Sequence, residues 1–114
     1  MNKHFYAKDA LASIGKLLEL KPDLAASFVT FDQQVFEEGA LSTKTKELIA
    51  IAVAHVTRCP YCIEIHVNSA KKAGASDEEI AETIFVGIAM NAGASFAHSC
   101  IAMDCLKEKN ENKE

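Results

Sequence analysis

Residues 47–66 read ELIAIAVAHVTRCPYCIEIH, and the fold is decided in this stretch. Leu48 to Ala54 is apolar all round, the pattern of a helix covered on every side. Pro60 then sits where a new helix can open, because the first turn has no use for that residue's N–H. Two helices are therefore expected to meet at Arg58-Cys59. Glu47 lies near the start of the first, and Cys59, Cys62 and His66 lie on the opening turns of the second.

Further helices follow on both sides. Ser42 or Thr43 can cap the helix that carries Glu47. Upstream, Phe5, Leu11, Ile14, Leu17 and Leu18 are spaced for an amphipathic first helix over about Phe5 to Glu19. Pro22 opens a second, with a stripe of Leu24, Phe28, Phe31, Val35 and Phe36, which Gly39 should stop. Downstream, Gly74 suits a left-handed helix terminus, and Ser76 with Glu79 forms a capping box for a fifth helix, about Asp77 to Asn91. Gly93-Ala94-Ser95 reads as the start of a sixth, ending near Lys107, with a polar tail that should fray. No strand pattern, repeat or linker interrupts the chain. The expectation is one domain over residues 1–114, a compact all-α bundle of about six helices.

Composition narrows the function. A net charge of −4 with scattered Lys and Arg offers no basic face for nucleic acid. The longest wholly apolar run is much shorter than the ~20 residues that cross a bilayer, so no membrane partner is expected. Four cysteines in 114 residues could suggest a secreted disulfide framework. Met1 to Leu20 has no apolar signal core, however, and the long helices need no staples. A cytoplasmic, reducing location is expected, where a CxxC pair is catalytic or metal-binding. A hydrophobic fraction of 49% is more apolar helix than a small monomer hides, which points to a homo-oligomer.

The chemistry gathers around the two thiols. Cys59 would be the N-cap of its helix and Cys62 would lie in the first turn, where free N–H groups and the helix dipole favour a thiolate. His66, four residues after Cys62, faces the same side and can take or return a proton. A Glu47 carboxylate in an apolar interface needs a partner, and His66 is the candidate. The same Cys59-x2-Cys62-x3-His66 spacing could instead hold zinc. Candidate accessory residues are Tyr61, between the thiols, His55, eight residues after Glu47, and His98 with Cys100 and Cys105 near the C-terminus. For His55, His98 and the late cysteines an ordinary structural role is the simpler reading.

The pattern Glu47-x11-Cys59-x2-Cys62-x3-His66, with Leu41-Ser42 before it and Ala73-Gly74-Ala75-Ser76 after it, resembles the core motif of the alkylhydroperoxidase AhpD-like proteins of the carboxymuconolactone decarboxylase superfamily. The resemblance runs from about Leu41 to Met103. It implies an all-α fold assembled as trimers or hexamers and a thiol-dependent reduction of hydroperoxides. By that resemblance Cys62 attacks the O–O bond, Cys59 resolves the sulfenic acid to a disulfide, and Glu47 and His66 relay protons. No bound cofactor or metal is expected for such a cycle, and it needs a dithiol donor to be reset, such as a lipoyl-bearing or thioredoxin-like protein. Tyr61 stands where AhpD itself has a histidine. Helix-terminus chemistry alone leaves the order of the two cysteines open. Two other functions fit the residues: a zinc module on Cys59, Cys62 and His66, or a decarboxylase or lactone-type enzyme acting on a small organic acid through Glu47 and His66.

Overall fold

The computed structural model describes residues 8–112, and among them every regular element is helical. A 3₁₀ turn, Lys8–Ser13, leads into α1, Ile14–Leu20, and α2, Pro22–Val35. The functional helices are α3, Thr43–Thr57, and α4, Pro60–Lys72. α5, Asp77–Asn112, closes the chain. The expected first helix is thus split into a 3₁₀ turn and an α-helix, and Phe5 lies outside the described residues.

α3 occupies the centre, as its apolar sequence requires, packed against both α4 and α5. Ile51 is fully buried with Ala70 and Ala75, and Leu48, Val67, Ile80 and Ile84 close around them. Gly87 lets α5 come near: a Cβ there would stand 3.1 Å from the Ala52 carbonyl oxygen. Local signals fix the ends. Ser42 accepts the Thr45 N–H at 3.1 Å, and Ser76 and Glu79 exchange bonds of 3.0 and 2.8 Å in the expected capping box. Gly74 has φ of 97°, in the left-handed region.

Three expectations need correction. α2 ends at Val35, before Gly39, because the Phe36 carbonyl turns to accept the Thr43 hydroxyl at 2.7 Å. The fifth and sixth helices are one 36-residue helix. Gly93 costs a helix only about 1 kcal/mol, and the alanines around it favour continuation. The polar segment from Lys107 continues in helix to Asn112.

The molecule is also elongated rather than compact. Its extents are 62 × 37 × 35 Å and its radius of gyration is 19.9 Å, where a compact chain of this length has about 13 Å. Every side chain from Ile88 to Asn112 is exposed, Phe96 at 82%. By length and composition alone α5 could cross a membrane, the one described helix that could.

Candidate active site

The turn between α3 and α4 brings the site together. Arg58 takes the left-handed conformation, φ 60° and ψ 47°, and ends α3. Cys59 follows at once in extended backbone as the N-cap of α4, and its N–H donates back to the Ala54 carbonyl at 3.0 Å. The Cys59 sulfur accepts the N–H of Cys62 at 3.2 Å, so a thiol does the work usually done by Ser or Asp. Both cysteines are reduced and partly buried.

The two sulfurs are held differently. A hydrogen bond from the Cys62 thiol, joined by the Cys62 and Tyr61 amides, favours the Cys59 thiolate and lowers its pKa, against a smaller opposing effect of burial. That same bond keeps the proton on Cys62, whose pKa is pushed up to about 11. Burial, the charge of Cys59 and, more weakly, Asp32 add to this rise. The pair therefore ionises in two steps, the first centred on Cys59.

One turn along α4, His66 Nδ1 lies 2.6 Å from Glu47 Oε1. The carboxylate is buried, with 9% of its side chain exposed, and the imidazole meets the need for a partner that the sequence implied. With Nδ1 committed to the carboxylate, Nε2 is the ring nitrogen left to exchange protons with the cavity. The Phe36 ring stacks on the imidazole, centroids 5.1 Å apart and planes 21° from parallel. Beside it opens a cavity of about 460 Å³ whose walls include Val35, Leu41, Ile49 and Val53, with Cys62 and His66 among them. Cys59 is not part of that wall.

The structure thus joins Glu47 to His66 and Cys59 to Cys62, and sets Cys62 and His66 on one cavity. The accessory candidates fall elsewhere. His55 Nδ1 lies 2.8 Å from the Ile51 carbonyl of its own helix, a structural bond. Tyr61 lines a separate cavity with Leu11, Ser13, Ile14 and Leu17. His98, Cys100 and Cys105 lie on the exposed length of α5, and none borders the cavity. Among the described residues no three His, Cys, Asp or Glu side chains converge as a metal site, so the zinc arrangement allowed by the spacing is not assembled. Phe36 and Asp32 were missed as site residues. On sequence they are a core aromatic and a surface acid of α2.

The profile of the Carboxymuconolactone decarboxylase family matches residues 22–104. The chain is 44% identical over 99 residues to uncharacterized protein 4 of the cox locus of Paracoccus denitrificans, covering 87% of this chain and 89% of that one. It is similar in structure to a carboxymuconolactone decarboxylase family protein from Legionella pneumophila solved in its apo form. There the TM-score is 0.69 at 35% identity, over 89% of this chain and 90% of that one. A second family protein, from Thermotoga maritima, aligns with a TM-score of 0.57 at 32% identity, over 78% of this chain and 92% of that one. A role in antioxidative response has been suggested for that protein.

Proposed function

The chain belongs to the carboxymuconolactone decarboxylase family, and on its site we propose that it is a thiol-dependent peroxidase that cycles Cys59 and Cys62 between dithiol and disulfide. The observation that carries this reading is the pair of thiols at the start of α4, Cys59 capping the helix at the Cys62 N–H and Cys62 sharing a cavity wall with the Glu47-bound His66.

The reaction follows from the two environments. The reactive form of the pair is the one ionised once, with Cys59 as the thiolate and the remaining proton on Cys62. A hydroperoxide entering the cavity meets Cys62. Its proton crosses the S–H···S contact to Cys59, and the Cys62 thiolate attacks the terminal peroxide oxygen. The O–O bond breaks, Cys62 becomes a sulfenic acid, and the leaving alkoxide takes a proton from His66, which Glu47 orients and which solvent recharges. Cys59 then attacks the Cys62 sulfur, a disulfide forms, and water leaves with the Cys59 proton. Dithiol and ROOH thereby give disulfide, ROH and water. A dithiol protein, lipoyl-bearing or thioredoxin-like, restores the thiols by exchange in the reducing cytoplasm.

The working form is an assembly of identical copies. The chain exposes 9064 Å², whereas a folded monomer of 12.4 kDa exposes about 6,100 Å². The surplus, about 3,000 Å², exceeds the ~800 Å² that one partner gives to a standard interface. Exposed apolar side chains are most numerous on α2 and α5.

Turnover of cumene hydroperoxide with dihydrolipoamide as reductant tests the reading. Activity should be lost in Cys59→Ser and in Cys62→Ser alike. A double-serine variant that keeps an activity dependent on Glu47 and His66 would favour a decarboxylase or lactone-type enzyme.

A further inference from the structure

We propose that Phe36 is a positioning residue for the proton relay: its ring sets the plane of the His66 imidazole, so that Nδ1 stays on Glu47 while Nε2 serves the cavity. This inference rests on the peroxidase reading for its kinetic consequence, but its geometry stands apart from it.

A single hydrogen bond fixes one ring nitrogen and leaves the imidazole free to swing about that contact, because the torsion next to the ring has a broad minimum. The face of Phe36 at 5.1 Å, only 21° from parallel, removes that freedom. The Phe36 ring is itself held. Its carbonyl accepts the Thr43 hydroxyl at 2.7 Å, the next carbonyl, of Glu37, accepts Lys46 Nζ at 2.6 Å, and Glu38 Oε1 accepts the Thr43 N–H at 3.2 Å. Thr43 and Lys46 belong to the first turn of α3, and Glu47 follows at the next position. Ring and carboxylate are therefore mounted on one helix end, and the imidazole from α4 enters between them. Phe36 also borders the cavity, so the side chain that sets the imidazole plane forms part of the wall the substrate meets.

The test compares Phe36→Leu, which keeps apolar bulk but no flat face, with Phe36→Tyr, which keeps the ring. Two readouts are taken on the full-length reduced protein: the proton NMR signal of the His66 Nδ1–H, and the second-order rate of Cys62 oxidation by cumene hydroperoxide. Phe36→Tyr should retain the signal and a rate within about twofold of native. Phe36→Leu should broaden the signal into solvent exchange and slow oxidation about tenfold, the scale of a small misplacement of a catalytic group. If Phe36→Leu does not fold, Thr43→Val, which releases the Phe36 carbonyl but leaves the ring, should show the same losses in weaker form. A native-like signal and rate in Phe36→Leu, or in Thr43→Val where that variant stands in, would overturn the proposal. A native protein inert to peroxide would end the peroxidase reading instead, and the NMR comparison would still decide the role of Phe36.

Discussion

Cys59 and Cys62 sit three residues apart and differ in what holds their sulfur, which sets the order in which they ionise. Cys59 receives the hydrogen bonds, so its thiolate forms below the ordinary thiol range, and Cys62 keeps its proton to about pH 11. As pH rises from acid, iodoacetamide should label Cys59 first, with Cys62 following only in strong base; peptide mapping reads the order directly. Labelling of Cys59 should fall as pH drops through its titration, because the thiolate is the reactive form. Glu47→Gln keeps the shape of the carboxylate but not its charge, and peroxide turnover should fall about a hundredfold, the range of acid–base assistance. Much of this geometry was legible in the sequence. Spacing alone put Cys59 at an N-cap and His66 on the face of Cys62, and the buried acid implied its imidazole. The stacked ring was not, since Phe36 and His66 are thirty positions apart and periodicity says of Phe36 only that it is apolar.

At the scale of elements, the short connection from α3 to α4 is a strained turn that the site depends on. Arg58 is the one non-glycine residue among those described with positive φ. Arg58→Gly should relieve this conformation and raise stability by about 0.5–1 kcal/mol in a urea melt, with turnover preserved. The opposite sign is expected at the start of α5, where Ser76→Ala removes half of a capping box and should cost about 1 kcal/mol. Helix starts were readable because caps and prolines act through neighbouring atoms. The undivided α5 was not, because Gly93-Ala94-Ser95 also suits a helix interior when no proline or competing contact stops it.

At the scale of the whole molecule, an isolated chain leaves α2 and most of α5 wet. Twenty-five consecutive exposed helical residues, rich in apolar side chains, would be marginal in water without a cover. Light scattering after gel filtration should give a mass of three or six times 12.4 kDa. Phe96→Glu, on the exposed length of α5, should reduce that mass, with loss of stability at low concentration. The sequence announced an excess of apolar helix but not its extended form. A hydrophobic stripe reads the same whether its own chain or another copy covers it.

Peroxidase function requires a redox cycle between the two sulfurs, and intact mass reports that cycle. One equivalent of cumene hydroperoxide added to the fully reduced protein should remove two hydrogens per chain, with a Cys59–Cys62 crosslink in the peptide map and full recovery on adding dithiothreitol. An unchanged mass, or a stable added oxygen on a lone cysteine with its neighbour still free, would contradict it.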